Sequence, residues 1–207
     1  QEARNWFGDH GRIIYGDGTC TTENSLSVSA CYIVLTNLDR LVNVARIATP
    51  QIRPFKSSRG YRYGLIMHEN VRFRLKTDAT ANSISLYDYS KSLIQGGKGD
   101  DLVSPDYGAP VAEYNNVLIY VDSRCPLAPS TTGVRRSVLF GASSACVAFH
   151  QSNGIDRMFW EMDKDDFNNI TGIASGMIFG MKKCSFTIGG AARDFATVVL
   201  STYAPAI

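Results

Sequence analysis

The sequence lacks any long apolar run. None of its apolar stretches reaches the roughly 18 residues that a membrane-spanning helix requires, and no basic segment followed by an apolar one opens the chain. It also lacks a strong charge of either sign, because 21 basic and 19 acidic residues leave a net charge of +2. We therefore expect no membrane partner, and the net charge alone does not indicate nucleic-acid binding.

Cysteine and histidine are scarce and scattered. The five cysteines are odd in number and form no Cys-x-x-Cys pair, and the three histidines match no metal-binding spacing. A secreted disulfide framework requires an even number of cysteines, and a zinc site requires clustered ligands. The sequence therefore predicts free, mostly buried thiols in a reducing compartment, with no metal site and no cofactor.

One glycine-rich segment resembles a phosphate-binding loop. Residues 96–101 read Gly-Gly-Lys-Gly-Asp-Asp. A Walker-type loop places Ser or Thr directly after its lysine and a helix directly after that, whereas Gly99 follows Lys98 and no helix is predicted there. Phosphate binding at this segment is therefore disfavoured.

The remaining polar candidates also lack a catalytic or metal-binding frame. His68 beside Glu69 has the chemistry of a general base, although a satisfied polar residue at a strand end is the commoner case. Asp163, Asp165 and Asp166 do not have the spacing of an EF-hand loop, so a solvated turn is favoured over a calcium site. We expect no catalytic residues.

Hydrophobic spacing predicts a mixed α+β chain. The helix at residues 36–48 is the best signalled, with Thr36 as its cap, Asp39 as capping-box partner and Pro50 beyond its end. The other predicted elements are strands at residues 61–67, 71–76, 116–121 and 194–203, a helix within 134–149 and strands within 170–181, with a long glycine- and proline-containing loop at 90–112.

Short motifs also follow a recognisable order along the chain. They are Leu38-Asp39-Arg40, Ile52-Arg53-Pro54, Gly60-Tyr61 through Leu65-Ile66-Met67-His68 to Leu75-Lys76, Tyr114-Asn115-Asn116-Val117, Val138-Leu139-Phe140-Gly141-Ala142 with Ala145, Asp166-Phe167, Gly172-Ile173-Ala174, Gly176, Gly180-Met181-Lys182-Lys183, Phe186 and Asp194-Phe195. Each motif is weak, but their joint order resembles the major capsid proteins of tailed double-stranded-DNA bacteriophages, in the branch typified by the N-four-like podoviruses.

This resemblance implies the Hong Kong 97-type capsid fold. We expect residues 1–60 to supply an N-terminal segment and part of the peripheral lobe, 61–164 mainly the axial lobe, and 165–207 the strands that return to the peripheral lobe. The resemblance also implies a helix after His68, against the strand predicted from alternation at residues 71–76. Family members are longer, so we expect the N-terminal arm and extended loop to be incomplete here, and no self-cross-linking site is identifiable.

The function implied by the resemblance is structural rather than enzymatic. Copies of the chain would form pentamers and hexamers of an icosahedral shell around double-stranded DNA. Portal, scaffold and decoration proteins would be further partners, and DNA would be touched without sequence specificity. The chain would belong to the virion and assemble in the cytoplasm of the host bacterium.

Aromatic and mobile elements are the candidates for contacts between subunits, because aromatic side chains are enriched at interface centres. They are Trp6, Phe7, Gly96, Gly97, Lys98, Phe159 and Trp160. The basic pairs are candidates for contact with DNA or with a neighbouring subunit, and they are Arg135, Arg136, Lys182 and Lys183. The alternative interpretation places the aromatic pairs in the subunit's own core and the basic pairs on a solvated face.

Two other functions are compatible with the sequence. One is a minor virion protein, either a decoration or an adaptor subunit. The other is a small nucleotide-binding or hydrolytic enzyme that uses the Gly96–Asp101 loop.

Overall fold

The computed structural model describes residues 12–16, 20–27, 31–57, 60–77, 111–128, 133–150, 158–167, 169–188 and 191–205. The described helices are α1 (Leu35–Ile47) and α2 (Glu69–Thr77), with a 3₁₀ turn at Glu23–Ser25. The described strands are β1 (Ile13–Tyr15), β2 (Phe55–Ser57), β3 (Gly60–Met67), β4 (Ala112–Tyr114), β5 (Val117–Val121), β6 (Val134–Phe140), β7 (Ala145–Phe149), β8 (Phe159–Asp165), β9 (Ile170–Gly176), β10 (Phe179–Lys183), β11 (Ser185–Ile188), β12 (Ala191–Asp194) and β13 (Thr197–Tyr203).

The chain divides into two compact units. The main unit consists of the residues up to Ser144 together with those from Cys184 onward, and the ribbon unit is Ala145–Lys183. The Cys184 N–H donates to the Ser144 carbonyl oxygen at 3.0 Å, so the chain leaves and re-enters the main unit at adjacent points. The ribbon unit is therefore an insertion in the main unit.

A seven-stranded mixed sheet organises the main unit. Its strands lie in the order β1-β13-β6-β3-β5-β4, and β2 pairs with β3 at one end of that strand. β13 pairs with β6 along its whole length, from Thr197 opposite Phe140 to Tyr203 opposite Val134. β1 and β13 run parallel, as do β3 and β5, whereas the other pairs are antiparallel. The strands predicted at 61–67 and 116–121 are confirmed as β3 and β5 of this sheet. The strand predicted at 194–203 is confirmed as β13 from Thr197 onward.

Both faces of the sheet are buried. On one face, α1 and α2 pack against β3, β13 and neighbouring strands through Leu38, Leu41, Leu65, Leu75 and Leu200, all buried. The opposite face carries two smaller clusters, one of which contains Cys125, Val138 and Val199. Each fully buried aliphatic side chain contributes about 1.5–3 kcal/mol, so this packing is the main stabilising term of the unit.

Helix α1 confirms the predicted helix but not its predicted cap. Val34 occupies the N-cap position without a side-chain hydrogen bond, and Thr36 lies inside the first turn. The Asp39 carboxylate instead accepts hydrogen bonds from the Tyr114 hydroxyl at 3.1 Å and from Asn115 Nδ2 at 2.8 Å. The capping box is therefore wrong, because Asp39 joins α1 to the turn between β4 and β5.

Helix α2 shows that the strand predicted at residues 71–76 is wrong and that the helix implied by the resemblance is right. Val71 and Leu75, one helical turn apart, are buried, whereas Phe73 is exposed. Strict alternation would have placed all three on one face of a strand. The exposed ion pair between Glu69 and Arg72 spans the first turn. Neither described helix is long and apolar enough to cross a membrane.

Residues 134–149 form two strands, so the helix predicted there is wrong. A turn separates β6 from β7, and within it Ser143 has a left-handed φ of 63°. β6 lies in the centre of the sheet, and Val138 and Leu139 are buried on its opposite faces. A strand buried on both faces has no apolar–polar alternation to identify it. The strands predicted within 170–181 are confirmed as β9 and β10.

A buried ion pair holds the segment around the 3₁₀ turn against the sheet. Arg136 Nε and Nη2 donate to Glu23 Oε1 and Oε2 at 2.6 and 2.8 Å, and the Ser201 hydroxyl donates to Oε1 at 2.7 Å. Burial alone would raise the pKa of Glu23, but the hydrogen bonds from Arg136 and Ser201 outweigh it, and the pKa lies below its ordinary value.

The Glu23–Arg136 pair predicts a specific loss of stability. Glu23→Gln leaves the Arg136 cation buried without its counter-charge, so we expect the free energy of unfolding to fall by about 3 kcal/mol. The matched control is Glu69→Gln, which breaks the exposed pair with Arg72 and should cost less than about 1 kcal/mol. Urea denaturation followed by circular dichroism measures both. Equal losses in the two variants would contradict this assignment.

The same pair predicts a pH dependence. Because the folded pKa of Glu23 lies below its ordinary value of 4.5, its contribution is fully present above that pH and is lost as the pH falls through the folded value. Denaturation series between neutral pH and acid should therefore show a steeper loss of stability in the unsubstituted chain than in Glu23→Gln. Parallel curves for the two proteins would show that Glu23 does not titrate as described.

The free thiols differ in reactivity. All five cysteines are free, with Cys146 exposed and Cys125 buried. Burial, reinforced by the nearby Asp122 carboxylate, raises the pKa of Cys125 to about 11. At pH 8 only about one Cys125 thiol in a thousand is ionised, so iodoacetamide should modify Cys146 and leave Cys125 intact. Peptide mass spectrometry measures this, with Cys146→Ser as control. Modification of Cys125 at the rate of Cys146 would contradict the described burial.

Candidate subunit interface

The ribbon unit consists of two hairpins of paired strands. β7 pairs with β10, and β8 pairs with β9, both antiparallel. Among the described residues neither hairpin gains a third strand. Directly opposed residues in an antiparallel pair share a face, so the register assigns every side chain in these hairpins to one of two surfaces.

The hairpin of β7 and β10 has an apolar face. Phe149 lies opposite Phe179, with ring centroids 6.4 Å apart, and Val147 lies opposite Met181. All four of these side chains are exposed. The other face carries smaller or charged groups, with Lys182 opposite Cys146. One surface of this hairpin is therefore an aromatic and aliphatic ladder in contact with solvent.

The hairpin of β8 and β9 is also two-faced. One face, the apolar face, carries Trp160, Met162 and Ile173 toward its centre. The other, the acidic face, carries Glu161 and Asp163 with Ala174 and Gly172 directly opposite them, followed by Asp165 opposite Ile170. At the hairpin tip Phe167 is wholly exposed in a left-handed conformation, with φ of 53°.

The register separates the predicted aromatic pair Phe159-Trp160. Trp160 lies on the apolar face, 67% exposed. Phe159 lies on the acidic face opposite Gly176, and the Phe159 ring occupies the space that a Cβ on Gly176 would need. The two aromatic residues therefore serve different surfaces of the hairpin.

The ribbon unit has no core of its own. None of its described residues is buried, and its exposed large apolar side chains are Val147, Phe149, Met158, Phe159, Trp160, Met162, Phe167, Ile170, Ile173, Met177, Ile178, Phe179 and Met181. Isolated two-stranded hairpins are marginally stable in water, and exposed apolar patches of this extent mark interaction surfaces. Only Phe159 and Trp160 were among the sequence candidates. The missed residues have a readable signal, which is the two-residue alternation along β7, β8 and β10.

The predicted basic pairs occupy different environments. Arg136 is buried against Glu23, and the carboxylate of Glu23 balances the charge of Arg136 within the main unit. Arg135 Nη1 donates to the Cys125 carbonyl oxygen at 3.1 Å. Lys182 and Lys183 point to opposite faces of β10, and burial lowers the pKa of Lys183. Contact of these residues with DNA or a neighbouring subunit remains a prediction.

The residues considered for catalysis form no catalytic arrangement in the described chain. His68 Nδ1 accepts a hydrogen bond from the Asn70 N–H at 3.0 Å, so the side chain caps the first turn of α2. Burial, followed by the charge of Arg135, lowers the pKa of His68. Among the described residues no three His, Cys, Asp or Glu side chains come together as metal ligands. Trp6, Phe7, Gly96, Gly97 and Lys98 lie outside the described residues.

Comparison with known proteins identifies a family. The family model described as phage capsid protein matches residues 55–206. No curated protein matches the chain. Among solved structures, the capsid of Ralstonia phage GP4 has a TM-score of 0.62 and 21% identity over 96% of this chain and 54% of its own. The cyanophage Pam1 capsid asymmetric unit has a TM-score of 0.60 and 17% identity over 100% of this chain and 56% of its own.

The chain thus spans just over half the length of these capsid chains. At such identities the structural likeness establishes the fold, which is the phage capsid fold, and it confirms the predicted α+β class. The family match extends over more than half of the chain, from β2 to the end of the sheet. The chain belongs to the phage capsid protein family.

Proposed function

We propose that copies of this protein assemble, through the ribbon unit, into the pentamers and hexamers of an icosahedral shell that encloses double-stranded DNA. The observation that carries the proposal is that the ribbon unit exposes large apolar side chains on both hairpins and buries none of its described residues. Family membership supports a structural role in a capsid. Both solved structures are of phage capsids, which supports self-association.

The energetics favour a repeated contact between copies. Burying one large apolar side chain contributes about 1.5–3 kcal/mol, so a few such residues from one hairpin offset much of the cost of ordering an interface. In a closed ring every subunit makes the contact twice, once with each neighbour. Modest contacts of this kind become strong when they are repeated around a shell.

The protein would also contact DNA and other virion proteins and assemble inside the host cell. Arg135, Lys182 and Lys183 are the proposed contacts with DNA phosphates or a neighbouring subunit, and Trp6, Phe7 and the 96–98 segment are further proposed subunit contacts. Portal, scaffold and decoration proteins are the proposed other partners, with assembly in the bacterial cytoplasm and no enzymatic activity. The lobes proposed at residues 1–60, 61–164 and 165–207 follow from the same resemblance.

Stoichiometry separates the proposal from its alternatives. A major shell protein dominates the protein content of purified particles, whereas a decoration or adaptor subunit is a minor band. An enzyme that used the Gly96–Asp101 loop would remain a small defined oligomer and turn over a nucleotide. Quantitative gel densitometry of particles and size-exclusion mass of the expressed full-length protein measure these differences.

Trp160 provides a direct test of the ribbon contact. Trp160→Ser removes the largest side chain of the apolar face, so we expect assembly to fall by about tenfold or more, in line with the loss of about 2 kcal/mol of apolar burial per contact. The folded subunit should keep its melting temperature within about 2 °C, because the side chain is largely exposed. Light scattering and negative-stain electron microscopy measure assembly.

The matched control for this test is Leu127→Ser, which removes an exposed apolar side chain from the main unit. It should assemble like the unsubstituted protein. Normal particles from Trp160→Ser would contradict a role of the apolar face in assembly. A lower melting temperature of the isolated Trp160→Ser subunit would show instead that Trp160 stabilises the subunit.

A further inference from the structure

We propose that the acidic face of the β8–β9 hairpin of one copy docks on a basic edge of the main unit of the next copy. The acidic face is defined by Glu161, Asp163 and Asp165, and the basic edge by Arg46, Arg53 and Lys56. The inference rests on the proposed function, since it names the surface by which one subunit recognises its neighbour.

The acidic face presents three carboxylates in a row. They alternate along β8, so they lie on one side of the strand about 7 Å apart and span about 13 Å. On β9, the small residues Ala174 and Gly172 lie opposite Glu161 and Asp163, so they do not cover these two carboxylates, whereas Ile170 lies opposite Asp165. All three acidic residues are exposed. A partner can therefore approach them directly.

These carboxylates have no cationic partner among the described residues. Asp163 Oδ1 accepts a hydrogen bond only from the neighbouring Lys164 N–H, at 2.9 Å, and Asp165 Oδ1 from the Asp166 N–H, at 2.8 Å. Lys164 itself points to the apolar face. In the main unit, by contrast, four acidic residues each form an ion pair with an arginine: Glu23, Glu69, Glu113 and Asp122.

The basic edge gathers three exposed cations from one short stretch of chain. The Ile52 N–H donates to the Ala45 carbonyl oxygen at 3.0 Å, which brings the neighbouring residues Arg46 and Arg53 together. Lys56 follows three residues later in β2 and is also exposed. None of the three cations has an ion pair within the described part of the chain. These cations are therefore available to an acidic partner.

Apolar residues flank both charged sets. Ile170 and Phe159 lie at the two ends of the acidic face. Tyr61 lies directly opposite Lys56, Ile47 follows Arg46, and both are exposed. Each surface therefore combines a charged centre with apolar margins, and the two surfaces have opposite charge. Such complementarity fixes the register of a contact and disfavours pairing of either surface with itself.

The contact is heterologous, because the two surfaces are different parts of the chain. Every copy then uses its acidic face on one neighbour and its basic edge on the other, which is the head-to-tail arrangement that a ring requires. The attraction between exposed charges is screened over about 8 Å at physiological ionic strength, so assembly driven by it weakens as salt rises.

A trans-complementation experiment with the full-length protein tests this arrangement. The first variant, Glu161→Lys with Asp163→Lys and Asp165→Lys, makes the acidic face positive. The second, Arg46→Glu with Arg53→Glu and Lys56→Glu, makes the basic edge negative. Each alone places like charges across every contact, so we expect assembly to fall by about tenfold or more. Mixing them restores opposite charges at each contact between unlike subunits, and we expect alternating, even-membered rings.

The outcomes are distinguished by light scattering and electron microscopy of each variant, of the mixture and of a chain that carries all six substitutions. Assembly of the mixture, with neither variant assembling alone, supports the inference. Normal assembly of either variant alone overturns it. Assembly of the six-substitution chain without assembly of the mixture also overturns it, because that result places the contact within one copy.

Folding and function are controlled separately. All six substituted side chains are exposed, and circular dichroism and melting temperature of the unassembled variants verify that each subunit folds. Failure of the unsubstituted protein to assemble would overturn the proposed function. Assembly of the unsubstituted protein that is unaffected by either set of charge reversals would leave the proposed function in place and overturn this inference.

Discussion

The rest of the structure depends on one constraint, which is that the described residues of the ribbon unit form no buried core. The chain leaves the main unit into β7 and returns to it from β10, with the β8–β9 hairpin between them in sequence, and a pair of two strands cannot bury either of its faces by itself. Trp160, Phe149 and Phe179 are therefore exposed in the isolated chain. A surface of this kind is stable in solution only when another surface covers it, and the phage capsid family gives a physical reason for such a surface to exist.

The main unit has the opposite character, because its sheet is buried on both faces and its buried carboxylate, Glu23, is paired with Arg136. Arg136 and Glu23 join the segment before α1 to the central strand, and Asp39 joins α1 to the β4–β5 turn. The exposed cations Arg46, Arg53 and Lys56 of this unit have no ion pair among the described residues.

Local pattern identified α1 and the strands β3, β5 and β13 correctly, but it gave the wrong type for α2, β6 and β7. The helix at α1 was predictable because polar Asn43 and Arg46 alternate with its buried stripe. β6 was mistaken for a helix because neighbours cover both of its faces, and at α2 a coincidental alternation hid a helix in which Phe73 is exposed. The order of the short motifs was more informative than any single motif, because it predicted the family correctly although these elements were assigned wrongly.

The sequence by itself determined the class of the chain, the positions of α1, β3, β5, β9, β10 and β13, and the family, because composition, turn residues and motif order are local or additive properties. Tertiary structure decided which charges are compensated and which are not. Composition does not distinguish adjacent residues such as Arg135 and Arg136, or Phe159 and Trp160. In a strand, however, successive side chains point to opposite faces. Only the pairing register of the strands reveals that Glu161, Asp163 and Asp165 share one surface while Trp160 lies on the other.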